Sequence, residues 1–133
     1  MAMIVDQKLT ISHDHRKKLA TPVVKCQVKF TDLELCQMKT CPKQKMFKLK
    51  CQLWGEDGFL TGADDYLWTY TDVFYFPDAT PNAMEDRTFS VTVGEGVLDE
   101  DWGQDEVYGK LILQNMLTGS SGTRKTNVVK HYF

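Results

Sequence analysis

A chain of 133 residues that is 42% hydrophobic, 11% aromatic and 26% charged is long enough to bury its own core and too rich in rings for a disordered tail, a collagen-like chain or a coiled coil. No apolar run reaches the roughly eighteen residues of a membrane-spanning helix, and residues 1–30 lack the apolar stretch and small-residue cleavage site of a secretory signal, so a cytoplasmic setting is expected. The net charge of -2 speaks against nucleic acid as a partner, yet it averages three unlike thirds: residues 1–54 hold eleven Lys and Arg against four Asp and Glu, residues 55–109 one against fourteen, and residues 110–133 four against none.

Taken in chain order, residues 1–21 read as an N-terminal arm. Within it His13 and His15 share one side of an extended segment and could bind a metal weakly, although solvated polar side chains are the simpler reading. Val24, Cys26, Val28 and Phe30 then alternate with Lys25, Gln27 and Lys29, and Phe47, Leu49, Cys51 and Leu53 alternate with Lys48, Lys50 and Gln52. Period two is the mark of a strand with one buried face. The two sets are mirror images about one point in the sequence, which predicts an antiparallel hairpin with a lysine-bearing outer face. Residues 31–39, between them, suit a turn or two of helix. Cys26, Cys36, Cys41 and Cys51 obey the same mirror symmetry, which leaves three states open: buried thiols, the disulfides Cys26–Cys51 and Cys36–Cys41, or a four-thiolate zinc site without the usual paired knuckles.

Further strands are predicted over residues 67–75, 88–93, 107–113 and 126–132, all rich in Val, Tyr, Phe, Thr and Trp, with a short helical turn over 83–87. Gly-, Pro- and Asp-rich stretches separate them. Short strands and long loops without a linker predict one domain over residues 1–133: an all-β, antiparallel two-sheet sandwich of six to eight strands. The stretch TGSSGTRKT fails as a phosphate loop, because Arg124 stands where the second glycine is needed, and reads as a hairpin loop.

The chemistry-bearing segments are acidic. Glu56, Asp57, Asp64 and Asp65 flank one glycine-bearing turn, and Asp99, Asp101, Asp105 and Glu106 flank another around Gly103. Carboxylates gathered in one place raise each other's pKa, and a cation relieves that repulsion. Calcium, which accepts six to eight oxygens in loose geometry, is the ion this donor set suits. Zinc or copper would want His or Cys, and neither residue type occurs between Gly55 and Gly109.

The stretch DEDWGQDEVYGKLIL, in which Asp99, Asp101, Asp105, Glu106 and Gly109 fall in order, resembles the third calcium-binding loop and following strand of C2 domains. The lysines of KQKMFKLK (Lys43, Lys45, Lys48 and Lys50) are similar to that family's polybasic strand. The resemblance covers about fifteen residues well; Gly55 stands where the second loop of the family has its first aspartate. It implies an eight-stranded sandwich, calcium at one loop end and binding to acidic phospholipid.

These features lead to the expectation of a non-catalytic binding or adhesion module. Its acidic loops would take up calcium and present Trp102, inside the second loop, to an anionic membrane surface, a glycan or a protein. The rival expectation is a metal-independent structural protein whose basic and acidic surfaces join subunits into a homo-oligomer. Trp54 and Trp68 read as strand residues. An enzyme is not expected, because His13, His15 and His131 lie at the chain ends and nothing in the sequence sets one over a nucleophile.

Overall fold

Alternation at period two governs most of this chain, and each alternating stretch buries one face. The computed structural model describes residues 2–40, 46–56, 64–75, 83–99 and 105–133. Its elements are β1 (Met3–Asp14), β2 (Leu19–Lys29), α1 (Asp32–Thr40), β3 (Phe47–Gly55), β4 (Asp65–Thr69), β5 (Val73–Tyr75), β6 (Met84–Ser90), β7 (Val93–Gly94), a 3-10 turn (Glu95–Val97), β8 (Asp105–Asn115) and β9 (Ser121–His131). One antiparallel sheet has the order β1-β2-β6, with β7 also on β2; the other has β4-β3-β8-β9, with β5 also on β3. The molecule is the all-β two-sheet sandwich expected from sequence, and among the described residues no helix is long and apolar enough to cross a membrane.

Val24, Cys26 and Val28 from the first sheet and Phe47, Leu49, Cys51, Leu53, Val107 and Leu111 from the second form one buried cluster. Each large apolar side chain so removed from water contributes about 1.5–3 kcal/mol. Cys26 and Cys51 are free thiols in this core, and Cys36 is exposed on α1. Burial, slightly offset by Arg87, pushes the Cys26 thiol up to about 11. Burial and then Cys26 push Cys51 further in the same direction, so both act as small apolar groups. Of the states left open by the sequence, Cys26 and Cys51 take that of buried thiols and form no disulfide; Cys41 lies outside the described residues.

The predicted hairpin is corrected. β2 pairs with β1, β6 and β7, whereas β3 pairs with β4, β5 and β8. The mirror pattern arose because two strands facing each other across a core bury the same alternate positions as two strands paired in one sheet. In consequence the predicted lysine face is split: Lys25 and Lys29 lie on the outside of one sheet, Lys48 and Lys50 on the outside of the other. α1 makes the crossover between the sheets. Thr31 and Glu34 cap it reciprocally: the Glu34 N–H donates to Thr31 Oγ1 at 3.2 Å and the Thr31 N–H to Glu34 Oε1 at 2.8 Å. Glu34 Oε2 also accepts from the Ala2 N–H at 2.8 Å, which anchors the start of the chain.

Residues 3–14, expected as part of an arm, are the edge strand β1. A bulge between Val5 and Lys8, with Asp6 at φ 53°, breaks the alternation there and hides it from a pattern search. Residues 83–87, expected as a helical turn, belong to β6, where they pair with β2. The acidic and basic thirds interleave within the sheets, for Glu106 lies across from Lys130 and Lys48 Nζ is 4.0 Å from Asp72.

The sandwich is sewn along one side by Asn127. Its Oδ1 accepts from the Leu9 N–H at 2.8 Å and its Nδ2 donates to the Leu9 carbonyl at 3.0 Å, so one amide stands in for a rung of ladder between β1 and β9. Asn127 is free to reach across because a bulge in β9, opposite Tyr108 and Lys110, leaves it outside the regular pairing. At that bulge the Gly109 N–H donates to Thr126 Oγ1 at 2.7 Å. A Cβ on Gly109 would meet Thr126 Cγ2 at 3.0 Å and Val24 Cγ2 at 3.1 Å, which is why glycine stands there.

Candidate functional site

Strand ends gather the candidate residues. Asp14 pairs with Leu19, Gly55 with both Asp65 and Val107, and Asp105 with His131. The finish of β1, the start of β2, the finish of β3, the start of β8 and the finish of β9 therefore share one end of the sandwich, the end from which the two acidic loops leave. It has two corners.

The acidic corner lies on the outer face of the second sheet. Glu106 follows Asp105 in a strand, so the two side chains leave on opposite faces: Asp105 is 2% exposed and points inward, while Glu106 points out, its Oε1 3.7 Å from Lys130 Nζ. The Glu56 N–H donates to the Glu106 carbonyl at 2.7 Å, and the Tyr108 hydroxyl donates to Asp64 Oδ2 at 2.6 Å. Burial, the Asp64 hydrogen bond, the Asp64 charge and the Glu56 charge, in that order, push the Tyr108 phenol well above its usual range. Its ring lies under Lys125 Nζ at 4.0 Å. Trp54 packs beside it, edge-on to Tyr66 with centroids 5.8 Å apart and with Lys110 Nζ 5.0 Å above its ring. Asp65 and Asp99 are exposed. Of the predicted ligands and contact residues, Asp57, Asp101, Trp102, Lys43 and Lys45 lie outside the described residues. Lys48 and Lys50 sit on β3, half-buried on the same outer face as Trp54.

The second corner is made of histidines. His13 is the last residue but one of β1, His15 lies in the turn after it, and His131 ends β9. One ring nitrogen from each lies within 4.8 Å of the others, and among the described residues no other group of three metal-ligand side chains is so close. His13 Nδ1 is 3.0 Å from His131 Nε2, and His13 Nε2 is 2.7 Å from Glu95 Oε2. Glu95 opens the 3-10 turn, and its N–H donates to the Lys18 carbonyl at 2.9 Å, which ties that turn to the β1–β2 connection. The His13 side chain is 3% exposed. Phe133 adds an apolar wall, its ring centroid 5.3 Å from His13 and 4.8 Å from His131. The sequence showed that His13 and His15 share a side, but the participation of Glu95 and His131 depends on strand order, which no local spacing carries.

Comparison with protein-family models, with curated proteins and with solved structures finds no match for this chain.

Proposed function

We propose that the protein is a non-catalytic binding module whose acidic corner takes up calcium and so becomes able to engage an anionic membrane surface, a glycan or a protein. The observation that carries this reading is the meeting of three acid-bearing segments at one place: Glu56 and Asp64 both act on Tyr108, and Glu56 is bonded to the backbone of Glu106. Hard oxygen donors held in loops suit calcium better than any ion that prefers nitrogen or sulfur. The C2-like order of residues 99–109 supports the same reading. Because Asp105 and Glu106 leave opposite faces of β8, the outer site draws on Glu106 with Glu56 and Asp64, and on Asp57, Asp65, Asp99 and Asp101 in the adjoining segments. The surface offered to a partner is the outer face with Trp54, Tyr66 (54% exposed), Lys48 and Lys50. Free thiols at Cys26 and Cys51 support a reducing, cytoplasmic setting.

The test is thermal unfolding of metal-free protein with and without calcium. A ligand confined to the native state adds RT ln(1 + [L]/Kd), about 2.7 kcal/mol at a hundredfold excess over Kd. A rise of several degrees, absent in Asp64→Asn, is the expected outcome. An unchanged melting curve overturns the calcium reading.

A further inference from the structure

We propose that His13, His15 and His131 form a binding site for a divalent first-row transition ion, zinc foremost, with Glu95 as the group that orients His13. This is a second site, independent of the acidic corner and of opposite chemical preference.

The geometry is close to what such an ion requires. Zinc–nitrogen bonds of about 2.0–2.1 Å in a tetrahedral centre set neighbouring ligand nitrogens about 3.4 Å apart. Here His13 Nδ1 and His131 Nε2 are 3.0 Å apart, and all three candidate nitrogens fall within 4.8 Å, with the exposed His15 in the turn the ring placed to move in. The chemistry of the ring atoms agrees. A carboxylate only accepts, so the His13 nitrogen that faces Glu95 carries the proton and Nδ1 keeps its lone pair directed at the other two rings. A carboxylate behind a histidine is the arrangement that fixes tautomer and orientation in metal sites. His131 Nε2 donates into that lone pair in the ion-free state, and an ion takes the place of the shared proton once His131 shifts its proton to Nδ1.

Burial strengthens the case. His13 is nearly sealed from water, and Phe133 stacks its edge against His131, so the centre is shielded on one side. His15, exposed in the turn, marks the open side, by which an ion enters. Three nitrogens leave a fourth position for water or for a donor from a partner. Asp105, directly across the β8–β9 ladder from His131, leaves its strand on the same face and brings a buried carboxyl group to the neighbourhood of the three rings. The thiols are elsewhere: Cys26 and Cys51 lie in the core and Cys36 on α1, which follows the opposite end of β2.

The experiment is titration of the metal-free 133-residue chain with zinc by calorimetry and with cobalt(II) by absorption. Both are repeated on His131→Ala, on His15→Ala and on Glu95→Gln, each checked for a native melting curve. One equivalent should bind, with cobalt ligand-field bands but without thiolate-to-cobalt charge transfer. Each histidine variant should lose at least tenfold in affinity, and Glu95→Gln should lose about 10- to 100-fold. His15→Ala alters only an exposed turn residue and decides the matter if His131→Ala does not fold. Zinc affinity equal in the His15→Ala and wild-type chains, a cobalt spectrum dominated by thiolate bands, or no binding at all overturns the proposal. None of these results bears on the calcium melt, which depends on Asp64.

Discussion

The acidic corner and the histidine corner occupy the same end of one sandwich and solve opposite electrostatic problems. In the acidic corner like charges from three segments converge on the outside of a sheet. Two contacts moderate them: a phenol that gives Asp64 a hydrogen bond, and a lysine that is 60% exposed and 3.7 Å from Glu106, a distance and exposure at which an ion pair contributes little. The histidine corner carries a single carboxylate, Glu95, set against His13, whose side chain is 3% exposed, and it is already closed by hydrogen bonds to Glu95 and between rings. The first would gain order from a hard cation; the second is assembled before any ion arrives. On the two proposals, calcium and zinc would take separate seats that share only the strand pair β8–β9.

The comparison is broken most severely by a change that both corners feel. Gly109→Ala inserts a methyl group between Thr126 and Val24 at the bulge that sets the finish of β9. Overpacking of this kind should cost about 1–3 kcal/mol, read as a lower urea midpoint, with both ion responses weakened. Asn127→Ala sharpens the comparison. It leaves the Leu9 N–H and carbonyl without their side-chain partner and should cost about 1–2 kcal/mol. Because it loosens β1 against β9, zinc affinity should fall while the calcium shift persists; equal loss of both responses would show that the corners are not independent.

The smallest expected effect lies in the acidic corner and changes sign in alkali. The Tyr108 phenol holds its proton in the folded chain beyond the point, near pH 10, at which an unfolded tyrosine loses it. Its contribution is therefore intact below about pH 10 and is lost as pH rises toward the raised folded value. Tyr70, whose hydroxyl donates to the Pro22 carbonyl at 2.7 Å and whose pKa burial and then Cys51 also raise, acts in the same sense. Tyr108→Phe should cost about 1 kcal/mol at neutral pH and shift alkaline unfolding to higher pH. Denaturation midpoints measured across pH 8–12 check it, and an unchanged alkaline limb would contradict the assigned environment.

Much of the architecture was legible because burial on one face writes itself into alternate residues: β2, β3, the body of β8 and much of β9 follow from it. Partnership was not legible. Val24 to Phe30 and Phe47 to Leu53 show equal alternation whether they pair within a sheet or face across a core, and only the crossover through α1 decides. β1 was hidden by its bulge at Asp6. The acidic corner was visible as local density of carboxylates, yet the splitting of Asp105 from Glu106 depended on where β8 begins. The histidine corner joins positions 118 residues apart, brought together by the contact of two edge strands, and spacing within a segment holds no trace of that.

The most direct test of the account is a pair of backbone-amide NMR titrations of one metal-free sample, first with calcium and then with zinc. Calcium is predicted to shift residues around Glu56, Asp64 and Glu106, and zinc those around His13, His15, Glu95 and His131, each set responding without the other. Shifts confined to a single common set for both ions, or no saturable shift with either, would contradict it.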